Sequence, residues 1–390
     1  MPAFTPSPLM LYVHIPFCVH KCHYCDFNSH ERDKPDWSAY QAALIRELNH
    51  RVSSPMFKGR PLASIFFGGG TPSLAPPTLI ASVIEQAEKL SGFENNIEIT
   101  LEANPGTVDA ANFSAYRQAG VNRLSMGVQS LNSAELLWLE RIHGAQEVFD
   151  AFHAARSAGF TNISLDLIYG LPEQSMCAWL ESLNQAIDLA PEHLSCYQLT
   201  VEPHTQLAAR HRKKPYALPD DELALEMLFT TRRRLEQAGY LAYEVSNFAR
   251  KNCHSRHNDG YWLYHDYIGI GAGASGKWDE SSSLGICRYS NIRSPEKYIE
   301  LATQKGTAIN SQESLSLDKS AAEAVWLGLR RSRGICRKNF QNRFGFDVME
   351  HFSDHLLPWQ QREMISVSES FIQLTESGLP MADEIAASVL

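Results

Sequence analysis

The chain has 390 residues, of which 44% are hydrophobic and 20% charged, and it carries a formal net charge of −9. That length buries one large core with room for a smaller appended domain, and the acidic balance excludes a protein held to nucleic-acid phosphate by its overall field. The opening, MPAFTPSPLMLY, lacks the basic start and apolar run of a signal peptide, and no run of 18 apolar residues occurs, so the expectation is a cytoplasmic chain with no transmembrane segment.

Strand-like apolar runs alternate with helix-like segments through the first half of the chain. The runs are LYVHI (11–15), SIFFG (64–68), IEITLEA (97–103), VNRLSMGV (121–128), ISLDLIYG (163–170) and HLSCYQLTV (193–201). After the second, Leu79, Ile80, Val83, Ile84, Ala87 and Leu90 recur at helical spacing behind a Pro-Pro start. Strand followed by helix, six times over, predicts a parallel sheet, and a curved, partly closed barrel buries such a sheet on both faces. The expected fold class is therefore α/β, a partial (β/α)6 barrel over residues 1–240. The longer gap between the first two strands leaves room for a loop.

Beyond residue 240 the Gly- and Ser-rich stretches IGIGAGASG (268–276) and DESSSLGI (279–286) predict an irregular connecting region, 241–312, packed on the barrel. Helical signals return over 313–390. LDKSAAEAVWLGLRR places Ala321, Val325, Trp326 and Leu329 on one stripe, and NFQNRFG sets Phe340 and Phe344 four apart before Gly345 as a C-cap. SFIQLTESGLPMADEIAASVL reads as a short strand, a Gly-Leu-Pro turn and a final helix. The tail is thus expected to be a small, mainly helical, winged-helix-like domain, a shape that alone does not imply DNA binding.

Eight cysteines are too sparse for a disulfide scaffold in a chain of this size. Cys177, Cys196, Cys253, Cys287 and Cys336 are scattered, and burial as small apolar residues is their default. Cys18, Cys22 and Cys25 instead form a tight C-x3-C-x2-C just after the first strand. Two metals suit them. Zinc would need a fourth ligand from His14, His20, His23 or His30, whereas a [4Fe–4S] cluster takes one thiolate at each of three corners and leaves its fourth iron without a protein ligand. FFGGGTPS puts Gly68, Gly69, Gly70 and Thr71 directly after a strand, where bare backbone can approach a ligand closely. Glu102, Gln129, Arg141 and Asp166 lie at or soon after later strands, where a parallel barrel gathers its active site. Taken singly, each also fits a helix cap or a neighbour pairing.

C-x3-C-x2-C in this position resembles the signature of the radical S-adenosylmethionine (SAM) superfamily. Together with LEANPG, SMGVQS, RIHG and DLIYGLP, it makes the chain similar to the coproporphyrinogen dehydrogenase-like, or HemN-like, branch over nearly its whole length, including the C-terminal domain. The resemblance implies a [4Fe–4S] cluster held by Cys18, Cys22 and Cys25, and SAM as cofactor. It implies Tyr12 against SAM, Gly69, Gly70 and Thr71 at its methionyl end, Glu102 and Gln129 on its ribose hydroxyls, Arg141 paired with its carboxylate, and Asp166 completing the site. In catalytic members a 5′-deoxyadenosyl radical abstracts hydrogen from a propionate side chain of the porphyrinogen.

True dehydrogenases of the branch carry a further cysteine two positions after the third, where this chain has Phe27. That difference, the short N-terminus and CDFNSH are similar to the branch's heme chaperones, which share the fold and cofactor-binding residues but lack the decarboxylase activity. In NCHSRHNDGYW, His257, Asn258 and Tyr261 form H-N-x-x-Y, similar to the heme-binding motif of that group. A neutral imidazole is the commonest axial ligand of heme iron, with Tyr261 at its other side and Cys253 and His254 as rival ligands; the bland reading is a satisfied surface histidine at a turn. Two functions follow. One binds heme and delivers it to apo-hemoproteins such as respiratory-chain enzymes; the other decarboxylates coproporphyrinogen III without oxygen. The expected partners are heme or a porphyrin and an acceptor protein, with no nucleic acid. Catalytic residues, oligomeric state and peripheral membrane contact are left open.

Overall fold

A computed structural model describes residues 7–279 and 285–390, so the start of the opening segment and residues 280–284 of the DESSSLGI stretch lie outside the described residues. All six expected strands form, as β1 (Leu9–Ile15), β2 (Leu62–Gly69), β3 (Phe93–Ala103), β4 (Arg123–Gln129), β5 (Ile163–Tyr169) and β6 (His193–Gln198). They pair in parallel, in chain order, with helices on the crossovers. The crossover helix Pro77–Ser91 buries Leu79, Ile80, Val83, Ile84 and Ala87, the stripe expected from the spacing, and leaves Leu90 half-buried.

Successive strand residues face opposite sides of the sheet, and the two sides differ in chemistry. Leu11, Val13, Ile65, Phe67, Leu101, Leu124 and Leu165 are buried in the main core under the helices. The other side carries Tyr12, Phe66, Thr100 and Arg123, Cα partners in one row across β1 to β4. The inside of the curved sheet is thus aromatic and polar.

Residues 241–312 are not the irregular connection expected from their composition. They form β7 (Leu241–Ala242), β8 (Asn247–Ala249), β9 (Asp266–Ile270), β10 (Ser275–Asp279) and β11 (Ile286–Asn291), and β12 (Ile309–Leu315) follows. Among the described residues the sheet has twelve strands in the order β12-β11-β10-β9-β1-β2-β3-β4-β5-β6-β8-β7. β9 runs parallel to β1, pairing Leu9 with Asp266, while β10 to β12 and β7 to β8 add antiparallel. The physical reason lies in the glycines and in exposure. Ile268 and Ile270 are fully buried, and Gly269 between them is where the Ser275 backbone crosses so closely that a Cβ would collide with its carbonyl. β12 has no apolar pattern because it is an exposed edge strand.

The C-terminal residues build a second core. Helix Leu317–Leu329 buries Ala321, Val325 and Leu329 but leaves Trp326 half-exposed. Phe340 and Phe344 meet at 4.6 Å, Gly345 takes φ +85° at the C-cap, and strands Ile365–Val367 and Phe371–Leu374 form the hairpin. Among the described residues no helix is long and apolar enough to cross a membrane.

Candidate functional site

The parallel strands bring their C-terminal ends to one rim, and the thiol loop lies over it. Two short strands, Phe17–Cys18 and His30–Glu31, close the base of the loop. Asn28 fastens it to the far part of the sheet, its amide donating to the carbonyls of Ala272 at 2.9 Å and Arg293 at 3.0 Å. The glycine turn after β2 packs directly beneath. The Gly70 N–H donates to Ile15 O at 2.8 Å and the Thr71 N–H to Phe17 O at 2.9 Å. A Cβ on Gly70 would meet Phe17 O at 2.7 Å and Cys18 Sγ at 3.0 Å, so only glycine fits. Gly69 takes φ +120°, with the His14 ring 2.7 Å from where its Cβ would stand.

The three thiols are free. Thr71 Oγ1 donates to Cys18 Sγ at 3.4 Å, and Arg141 Nη1 to Cys22 Sγ at 3.6 Å. Burial pushes the Cys18 and Cys25 thiols above the usual range. Arg141 also donates from Nη2 to Gly127 O at 2.7 Å, while its Nε is buried with no hydrogen-bond partner among the described residues. Gln129 converges on the same spot. It sits at a register shift in β4 with φ +69°, in the left-handed region, which re-aims its side chain past Gly127.

Glu102 on β3 and Asp166 on β5 flank β4. Glu102 Oε2 accepts the Gly69 N–H at 3.1 Å. Burial pushes the Glu102 carboxyl up to about 8, and the nearby Asp166 adds to the shift. A carboxyl protonated near neutrality both donates and accepts, which suits vicinal hydroxyls. Burial also raises Asp166, against hydroxyl donors from Ser195 at 2.6 Å, Ser125 at 3.0 Å and Ser164 at 3.3 Å. Tyr12, His14, Phe27, Gly69, Glu102 and Arg293 are among the residues lining a cavity of about 520 Å³ at this rim, a size suited to a small-molecule ligand.

Sequence reasoning weighed His14 only as a zinc ligand and missed its place in the cavity wall, where its ring bridges Tyr12 OH and Asn28 O at 2.9 Å each. Its signal was available, since Tyr12 and His14 are two apart on one strand and share a face. It also missed the serines around Asp166, which carried no pattern. Of the histidines considered for zinc, His14 has both nitrogens occupied. Among the described residues no three His, Cys, Asp or Glu side chains converge as ligands of a single ion would.

His257, Asn258 and Tyr261 lie below the rim, with Tyr261 near enough to Tyr12 and Glu102 that both add to burial in raising its hydroxyl pKa. They sit on a seven-residue helix, Arg256–Trp262, capped by Ser255. The carboxylate of Glu98 accepts both the Arg256 and the His257 N–H at 3.0 Å. Helix residue Gly260 packs against Met10 so closely that a Cβ would clash. Met10 and Ser64 belong to the N-terminal parts of β1 and β2, and Glu98 of β3 pairs with Ser64, so this helix plugs the opposite end of the barrel, roughly 16 Å along β2 from Gly69 at strand rise per residue. His257 is fully buried. Its Nδ1 pairs with Ser64 Oγ at 2.8 Å and its Nε2 with Tyr261 OH at 2.9 Å, leaving neither nitrogen free. Burial, with Arg123 adding, lowers its pKa to about 3. Phe66 spans the two ends, its ring 6.3 Å from Tyr12 and 5.2 Å from His257. Asn258 is half-buried, and His254 is exposed on Tyr243 at 4.3 Å.

Fold and site together define a partial-barrel α/β protein that gathers three thiols, a glycine turn and paired carboxyls over the C-terminal ends of its strands. Residues 12–186 match the Radical SAM superfamily and residues 315–381 the HemN C-terminal domain. The chain is 37% identical to heme chaperone HemW of Haemophilus influenzae over 97% of both chains. It is 44% identical to heme chaperone HemW of Escherichia coli over 69% of this chain and 70% of that one. The solved structure of coproporphyrinogen III oxidase (HemN) from Escherichia coli, a radical SAM enzyme, superposes with a TM-score of 0.84 at 26% identity, covering 100% of this chain and 91% of that chain. The chain belongs to the radical SAM superfamily, in the HemN-like branch that includes the heme chaperones HemW.

Proposed function

We propose that this protein is a cytoplasmic heme chaperone, which binds heme together with a SAM-ligated [4Fe–4S] cluster and passes heme to apo-hemoproteins such as respiratory-chain enzymes. The observation that carries the choice over coproporphyrinogen dehydrogenase is Phe27, 57% exposed at the mouth of the rim cavity, where the dehydrogenases place a further cysteine. The similarity to HemW over 97% of both chains supports the same choice.

The open rim fits the cluster and SAM. Cys18, Cys22 and Cys25 would hold three irons, with Thr71 and Arg141 as donors to sulfur, the kind of second shell that tunes such clusters. The unpartnered Nε of Arg141 fits a carboxylate. Gly69, Gly70 and Thr71 would stand at the methionyl end, their N–H groups held by Glu102, Ile15 and Phe17. Tyr12 and Glu102 line the cavity, Glu102 and Gln129 would meet ribose hydroxyls, and Asp166 would complete the site. When bound, the cluster and SAM supply one-electron chemistry. At the other end, His257 reaches heme iron only if the helix Arg256–Trp262 shifts, because Ser64 and Tyr261 occupy its nitrogens.

The test supplies anaerobically purified, cluster-reconstituted protein in parallel with hemin and with coproporphyrinogen III plus SAM and reductant. A stoichiometric heme spectrum, weakened by His257→Ala, with no protoporphyrinogen formed is the expected result. Decarboxylated porphyrin accumulating over many turnovers, with heme bound no better than by an unrelated protein, would overturn it.

A further inference from the structure

Arg123 is the first residue of β4 and is 1% exposed, inside the barrel. Its Nε is buried with no hydrogen-bond partner, and among the described residues the guanidinium enters no ion pair. Its Cα partner across the sheet, Thr100, is fully buried, and among the described residues the Thr100 hydroxyl also has no partner. Buried polar groups are nearly always satisfied, and a buried charge is nearly always paired. Two orphans side by side, one a cation, therefore ask for an acceptor that the chain does not supply.

Nearby acids do not fill the gap. Asp166, whose carboxyl feels the Arg123 charge, is held by Ser125, Ser164 and Ser195. Glu98 is committed to the backbone of the plugging helix. His193 and His257, both lowered by burial with the Arg123 charge adding, bring no negative charge. Along the same row stand Phe66 and Tyr12, stacked at 6.3 Å. A cation and a hydroxyl beside an aromatic pair match a flat aromatic ligand bearing a carboxylate, one oxygen for the guanidinium and the other for the hydroxyl.

We propose that Arg123 and Thr100 form a buried subsite for a ligand carboxylate, and that it holds a propionate of the bound tetrapyrrole. The second half rests on the heme reading above, while the first does not. The two sources of the carboxylate, heme or a free small acid, separate by experiment.

Full-length, cluster-reconstituted wild type, Arg123→Gln and Thr100→Val are titrated anaerobically with hemin and with hemin dimethyl ester, and their melting temperatures are read with and without sodium propionate. Wild type should prefer hemin over the ester by about tenfold, the scale of one charge-assisted pair. Arg123→Gln should lose that preference and Thr100→Val should narrow it. If Arg123→Gln fails to fold, the near-isosteric Thr100→Val decides. Equal binding of hemin and ester by wild type, or a preference that the variants keep, would overturn the subsite. If wild type binds no hemin, the heme reading falls and propionate decides alone. A melting shift in wild type that the variants lack keeps the carboxylate subsite with a free acid as its ligand, and no shift overturns it.

Discussion

The two ends of the barrel are built on opposite terms. At the C-terminal rim, polar groups are left unfinished: three free thiols, a buried Arg141 Nε, a carboxyl pushed up to about 8 and an open cavity. At the N-terminal end the plugging helix is closed off more fully, with the buried Trp262 Nε1 as an exception. His257 has both nitrogens bonded, Ser255 caps the helix, Glu98 takes two of its N–H groups, and Arg331 of the C-terminal domain grips Asp259 with bonds of 2.7 and 3.2 Å. Incomplete bonding marks a place where a ligand finishes the structure, whereas complete bonding marks a place that must open before a ligand can enter.

The largest expected effect lies at the rim. Replacing Cys18, Cys22 and Cys25 together by alanine should bring iron content to zero after reconstitution while circular dichroism of the barrel is retained; retained iron would mean the rim is not a cluster site. Gly69→Ala should destabilise by about 3 kcal/mol, combining left-handed strain with the clash against His14, measured by urea unfolding.

At the plugged end, His257→Ala should destabilise by roughly 2–3 kcal/mol through the unpaired Ser64 hydroxyl and the space left behind. The same residue has a pH signature. Its pKa is near 3 folded and about 6.5 unfolded, so the unfolded chain binds the extra proton and stability falls as pH drops through that window. His257→Gln should flatten the decline between pH 6 and 4, approximate bounds set by those two values. Asp259→Asn should cost only about 1 kcal/mol, because the pair with Arg331 is partly exposed, but hydrogen exchange should quicken across the helix Arg256–Trp262. The smallest effect falls on Phe27→Ala, within about 0.5 kcal/mol of wild-type stability, as for other exposed sites.

Much of this was written in residue order. The six parallel strands were legible because their outer faces are apolar and their inner faces alternate with Tyr12, Ser125 or Asp166. The thiol loop and glycine turn were legible because tight cysteine spacing and consecutive glycines have few other uses. The strands beyond residue 265 were not: the edge strand INSQESL needs no apolar side, and the glycine of β9, Gly269, serves a backbone crossing that only tertiary structure reveals. Nor could HNDGY announce that it fills the foot of the barrel, since a seven-residue helix carries too short a pattern to show which face it buries.

The pairing of β1 with β9 also sets a timetable. β1 meets β2 early, but its other edge waits for Asp266 to Ile270, about 250 residues later, which is on the order of 10 to 50 seconds of translation. Until then a nascent chain displays LMLYVHI, later a central strand, as an apolar ribbon with one edge unpaired. The stretch that finally shelters it is the same Gly-rich segment that looked least like structure, so a stop or slow codon before residue 270 would leave the growing protein exposed where it is stickiest.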